Sequence, residues 1–173
     1  MIKKFEEFVN ENLYNKSKDT GDIIYNYHPK DDELIELVNS LIEERGYEAD
    51  LNDIDTSRIT DMQAVFQKTK FNGDISQWDV SNVKNMKYMF ERSYFNGDIS
   101  QWDVSNVEDM RNMFDYSNFN GDISQWDVSN VEYMKDMFVY SKFNGDISQW
   151  DLSNVKDVED VEDVEDMVTI GFK

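Results

Sequence analysis

The sequence predicts an α/β solenoid, a short stack of strand-turn-helix coils closed by helical caps at both ends. Three observations carry this fold class. A thirteen-residue string recurs at a fixed period of 24 residues. Each period has two halves with different hydrophobic spacing. The segments that flank the repeats are amphipathic.

The repeat settles the organisation before any propensity argument. FNGDISQWDVSNV begins at Phe71, Phe95 and Phe119, and returns at Phe143 with Leu152 in place of valine. A worn copy lies one period earlier, from Tyr47. There Leu51, Ile54, Asp55, Ser57, Ile59, Met62, Val65 and Phe66 occupy the sites of Ile75, Trp78, Asp79, Ser81, Val83, Met86, Met89 and Phe90. No coil can bury these side chains alone, so stacked neighbours must share one core. The repeat region is therefore set at 47–155.

The first half of each coil reads as a turn, Asn72-Gly73-Asp74, followed by an extended piece in which Trp78 and Val80 alternate with Gln77 and Asp79. In the second half Val83, Met86, Met89 and Phe90 predict one stripe of a short helix. Ser105 with Glu108, and Ser129 with Glu132, have capping-box spacing. Strands stack at about 4.8 Å and helices at about 8–10 Å, so such coils should curve with their strands inside.

Residues 31–46 predict an N-terminal capping helix. Pro29 and Asp31 mark its start, Leu34, Leu37, Val38, Leu41 and Ile42 form its stripe, and Gly46 ends it. Residues 156–173 predict an acidic C-terminal cap, with Val158, Val161, Val164 and Met167 laid on the last coil. Residues 1–30 read as an amphipathic segment (Ile2, Phe5, Phe8, Val9 and Leu13 on one side) and a connector at 14–21.

Charge excludes several function classes. Lys+Arg number 17 and Asp+Glu 37 in 173 residues, a formal charge of −20. Direct nucleic-acid binding through phosphates is not expected, nor is docking on an anionic membrane surface. There is no cysteine and one histidine, His28. Thiolate sites and multi-histidine metal centres are excluded. No apolar run reaches the length of a membrane span. Apolar residues at 39% place the chain among folded proteins and not acidic tails.

The motif F-N-x-D-I-S-x-W-D-V-S-N-V-x-x-M-x-x-M-F, with LNDIDTSRITDM from Leu51 as its opening, resembles the BspA-type leucine-rich-repeat-like family of bacterial surface proteins and lipoproteins, over about residues 28–155. The resemblance implies a short right-handed leucine-rich-repeat-like stack used in protein binding or adhesion, and no enzyme activity. No secretion signal or lipobox cysteine is seen. The expected location is thus cytoplasmic or virion-associated, and surface display is not expected. MIKKFEEFVNENL at the N-terminus is similar to segments of tailed-bacteriophage proteins, including capsid-targeting peptides.

Candidate chemistry was sought within the repeat. Asp74, Asp98, Asp122 and Asp146 form one column, and Asp79, Asp103, Asp127 and Asp151 another. Stacked carboxylates suit calcium, but an aspartate in a turn more commonly accepts a local backbone hydrogen bond, and no metal or other cofactor is expected. The column of Trp78, Trp102, Trp126 and Trp150 is read as core over ligand platform, and the methionines as core fillers. His28 lacks a marked nucleophile and orienting acid.

Partner recognition is expected from the positions that vary between coils: Lys84, Lys87, Tyr88, Arg92, Arg111, Tyr116, Tyr133, Lys135 and Tyr140. A second candidate is the fixed polar ladder on the strand side, Gln77, Asp79, Gln101, Asp103, Gln125 and Asp127. The expected function is a non-enzymatic protein–protein interaction module with an unidentified protein partner. The alternatives are an acidic decoy that mimics nucleic acid, encoded by a mobile element or phage, and a virion structural component.

Overall fold

A computed structural model describes residues 15–16, 23–24 and 27–157. β1 (Asn15–Lys16) and β2 (Ile23–Ile24) pair antiparallel, Asn15 opposite Ile24 and Lys16 opposite Ile23. α1 spans Asp31–Arg45 and buries Leu34, Leu37, Val38, Leu41 and Ile42. Its start is held by Glu33, whose carboxylate accepts the Lys30 N–H at 3.0 Å. Gly46 ends it at φ 93°, a conformation that suits glycine at a helix C-terminus. The amphipathic stripe expected from Ile2, Phe5, Phe8, Val9 and Leu13 lies outside the described residues. So does the acidic cap with Val158, Val161, Val164 and Met167.

The α/β solenoid expected for the coils is not what forms. Among the described residues α1 is the one helix, and the strands are β1 and β2. The second half-coil, expected as a helix, is built of turns. Helix requires each N–H to reach the carbonyl four residues back. Instead Met86, Tyr88, Phe90 and Arg92 donate to Asp109, Arg111, Met113 and Asp115 in the following coil, at 2.7–3.0 Å. The N–H groups between them close turns: Met89 to the Met86 carbonyl, Glu91 to Tyr88 and Ser93 to Phe90, each at 3.1 Å. The same ladder runs from Met62, Ala64, Phe66 and Lys68, and again from Met110, Asn112, Phe114 and Tyr116.

The first half-coil, expected as an extended strand, is also a series of turns. Asp74 Oδ1 accepts the Ser76 N–H at 2.9 Å, and Trp78 N–H returns to the Ile75 carbonyl at 3.1 Å. Asp79 with Ser81, then Val83 with Val80, repeats that unit five residues on. Asn85 with Lys87, then Met89 with Met86, is a third version. Each coil is thus a chain of side-chain-nucleated turns, joined to neighbours by isolated parallel bridges such as Asn85–Asp109 and Asp109–Tyr133. With no helical side to the coil, the spacing mismatch that predicted an arc is gone. The capping boxes are gone too: Ser105 donates both N–H and Oγ–H to Asp103, at 3.1 and 2.6 Å, while Glu108 pairs with Lys84 of the coil before.

The core runs down the middle as columns of like residues. Phe66, Phe90, Phe114 and Phe138 stack with centroids 5.5–5.7 Å apart and interplanar angles of 2° or less. Phe71, Phe95, Phe119 and Phe143 form a second column at 6.2–6.4 Å. The tryptophans are buried, and each indole N–H reaches a carbonyl of the preceding coil. Trp78 donates to Leu51, Trp102 to Ile75, Trp126 to Ile99 and Trp150 to Ile123, at 2.9–3.3 Å. Gly97 serves this packing, since a Cβ there would lie 2.8 Å from the Phe95 ring.

Carboxylates close the ladder at both ends. Asp31, in the first turn of α1, accepts the N–H and hydroxyl of Thr60 at 2.8 and 2.6 Å. Asp157 accepts the N–H groups of Met134 and Lys135 at 3.0 and 2.9 Å. For Thr60 and Met134 these carboxylates take the part that a neighbouring coil's carbonyl plays for Lys84 and Met110.

Two outcomes test this architecture. Trp102 is 4% exposed, with coils on both sides. Trp102→Ala should lower unfolding free energy by about 3–5 kcal/mol in urea titration. Ala64 has φ 60°, where an L-residue is strained and glycine is not. Ala64→Gly should therefore raise stability by about 1 kcal/mol, whereas at an interior helix position it would lower it by about the same amount. The sign of the shift in urea midpoint decides between turn and helix.

Candidate partner-binding face

The invariant polar residues of the repeat are engaged in building the stack. Asn72, Asn96 and Asn120 accept, through Oδ1, the N–H of the asparagine one coil on, at 2.7–2.8 Å. Asn82, Asn106, Asn130 and Asn154 donate through Nδ2 to serine carbonyls of the coil before, at 2.6–2.8 Å. Both aspartate columns accept serine N–H groups two residues on: Asp74, Asp98, Asp122 and Asp146 do so at 2.9–3.0 Å. Asp79, Asp103, Asp127 and Asp151 do so at 3.0–3.1 Å. Among the described residues no group of three or more His, Asp or Glu side chains is placed to hold a metal ion. In the fixed ladder, Gln77, Gln101 and Gln125 are exposed and donate to the hydroxyl of the neighbouring serine, at 3.2–3.3 Å. Asp79, Asp103 and Asp127 hold turns and are also exposed at the surface.

The variable positions assemble differently. Arg92 lies over the Tyr116 ring, 4.9 Å from its centroid, and Tyr116 packs on Tyr140 at 4.6 Å. Tyr116 and Tyr140 are 49% and 75% exposed. Arg111 lies over Tyr133 at 5.0 Å and forms an ion pair with Asp109. Lys156 approaches the other neighbours of this group, with Tyr133 at 6.0 Å and Glu132 at 2.6 Å. Lys87 sits over Tyr88 at 4.8 Å, and Lys84 pairs with Glu108 at 2.9 Å. Lys135 lies in the same column as Lys87 and Arg111 and donates its N–H to Asp157. The structure thus gathers candidates into three cation–tyrosine groups, Arg92–Tyr116–Tyr140, Arg111–Tyr133 and Lys87–Tyr88. Among the described residues no hydrogen bond or ring contact links them to the glutamine–aspartate ladder.

Tyr94, 58% exposed, belongs to the variable half-coil and was not singled out from sequence. Its signal was available: the position before each repeat phenylalanine changes from Lys70 to Tyr94, Asn118 and Lys142.

Asp115 was also missed. Its Oδ1 is buried with no hydrogen-bond partner, and Glu91 stands one coil below it in the same column. Glu91 itself is buried and held by Arg92 at 2.9 Å, Lys68 at 3.8 Å and Gln67 at 2.6 Å. Desolvation, then the Glu91 charge, push the Asp115 carboxyl up to about 6, against the pull of Arg92. By contrast, hydrogen bonds from Ser76 and Ser100 hold Asp74 and Asp98 below the usual carboxylate range.

His28 Nδ1 lies 2.5 Å from Asp55 Oδ2. Asp55 also accepts the Ser57 N–H at 3.0 Å, and its own N–H donates to the Tyr27 carbonyl at 2.9 Å. The pair fastens the chain entering α1 to the first coil.

The raised Asp115 group binds protons more tightly in the folded than in the unfolded chain. Its contribution to stability is complete below the unfolded value near 4, and it is lost as pH rises through about 6. Asp115→Asn should therefore stabilise the protein at neutral pH, by about 1 kcal/mol after allowance for solvent screening. The gain should vanish in acid. Melting temperatures of both chains across that range check it, and a pH-independent difference would exclude the titration.

The family model described as "Mycoplasma protein of unknown function, DUF285" matches residues 35–138 and 93–166. Comparison with curated proteins and with solved structures finds no match. The family matches take in most of α1 and every coil, and the chain belongs to the DUF285 family.

Proposed function

We propose that the chain is a non-enzymatic protein–protein interaction module that binds a protein partner through its variable half-coils. One observation carries this reading. Fixed asparagines and aspartates of the repeat hold the stack together, whereas the varying positions present Arg92, Tyr94, Tyr116 and Tyr140 at the surface. These are the residue types that dominate binding energy at protein interfaces. The resemblance to BspA-type leucine-rich-repeat-like proteins supports the same reading. The N-terminal resemblance to tailed-phage proteins supports a cytoplasmic or virion setting. No helix among the described residues is long and apolar enough to cross a membrane.

A second reading, an acidic decoy of a nucleic acid, is favoured by one feature: the exposed aspartates stand in regular columns on the opposite half of the coil. One experiment separates the two. The intact chain, an Arg92→Ser/Tyr116→Ser/Tyr140→Ser variant and an Asp98→Asn/Asp103→Asn/Asp122→Asn/Asp127→Asn variant are used for affinity capture from lysate of the source cell, with quantitative mass spectrometry. A partner depleted about tenfold or more by the tyrosine–arginine variant, and retained by the aspartate variant, is the expected result. A DNA-binding protein released by moderate salt and lost with the aspartate variant would replace the first reading with the second.

A further inference from the structure

The repeat carries four Asn-Gly dipeptides, at Asn72, Asn96, Asn120 and Asn144, in the identical context Phe-Asn-Gly-Asp-Ile-Ser. Asparagine before glycine is chemically labile, because glycine offers no Cβ to hinder attack of its backbone nitrogen on the asparagine side chain. The four sites are not structurally equal. Asn72 Oδ1 is held by the Asn96 N–H at 2.8 Å, Asn96 Oδ1 by Asn120 at 2.7 Å and Asn120 Oδ1 by Asn144 at 2.8 Å. The repeat string does not recur after Phe143, so among the described residues no further asparagine N–H follows Asn144. Its N–H is used on Asn120, and its Oδ1 accepts no hydrogen bond from the described residues. The side chain is exposed.

We propose that Asn144 is a site of spontaneous deamidation, singled out among four chemically identical sites as the last member of the asparagine ladder. The Gly145 nitrogen attacks Cγ of Asn144 and the N–Cγ bond forms. The Cγ–Nδ2 bond breaks, and the glycine amide proton leaves with Nδ2 as ammonia. Water then opens one of the two imide C–N bonds, giving aspartate or isoaspartate. No oxidant, metal or second protein is required. For the other three asparagines the rotation that brings Cγ to the glycine nitrogen must first break the bond from the next coil. The product adds one negative charge to the last coil, and in the isoaspartate form one extra backbone atom.

Trypsin places the four sites on four different peptides, residues 71–84, 93–111, 112–135 and 143–156. The native chain is incubated at mildly alkaline pH, digested, and the acid and amide forms of each peptide are quantified by mass spectrometry. A parallel incubation in guanidinium reports the rates without the ladder. Asn144 should convert about fivefold faster than the other three in the native chain, the factor that one hydrogen bond supplies. All four should convert at equal rates when unfolded. Equal rates in the native chain would overturn the proposal, and so would an Asn144 lead that persists in denaturant.

Discussion

Everything in this molecule follows from the register of one hydrogen-bond ladder. Met86, Tyr88, Phe90 and Arg92 donate to the coil that follows, and Lys84 accepts from Glu108 of that coil. Parallel in-register pairing places each residue beside its own counterpart. That is why Phe90 lies flat against Phe66 and Phe114, and why one asparagine oxygen can serve the next asparagine N–H. A shift of one residue would break the phenylalanine columns, the indole bonds and both asparagine ladders together. The core and the polar network therefore specify the same register, which is the agreement between levels that a uniquely folded sequence requires.

The ladder also explains which parts of the fold were legible. The 24-residue period, the burial of the tryptophans and the stripe of α1 are local or self-comparative signals, and the sequence displays them. The half-coils are different. Val83, Met86, Met89 and Phe90 resemble a helical stripe because a chain of turns also returns side chains inward every three residues. Periodicity reports which face is buried and not where the N–H groups go, and here they go to residues 23 positions away. A closer signal lay in the motif. DISQW and DVSNV are two copies of one five-residue unit, an aspartate whose carboxylate accepts the N–H of the serine two residues on. The glycine cue pointed elsewhere: the left-handed positions are Ala64, Lys68, Tyr88, Arg92, Asn112, Tyr116, Asp136 and Tyr140, mostly residue types that announce no such turn.

Those positive-φ residues separate fold from recognition. All eight lie in the half-coils that vary, and an L-residue in this region costs on the order of 1–2 kcal/mol. The strain is held because each such residue sits between turn bonds and inter-coil bonds that leave the backbone no alternative. The position then tolerates alanine, lysine, tyrosine, arginine, asparagine or aspartate alike, since the lattice and not the side chain sets the conformation. The candidate face was legible from sequence because copies could be compared, which separates invariant positions from variable ones. Asp115 was not, because its raised proton affinity comes from burial in the stack and from the Glu91 charge one coil away.

Charge is distributed along the same division. Between 47 and 155 every lysine and arginine except Arg58 lies in the variable half-coils, while the thirteen-residue string contains aspartate and no base. The exposed tyrosines thus stand among the coil cations of a chain with net charge −20. At physiological ionic strength the field of the exposed aspartate columns falls off beyond about 8 Å, so each column acts mainly on groups close to it. The invariant half-coil supplies register, and the variable half-coil carries the coil cations and the exposed tyrosines.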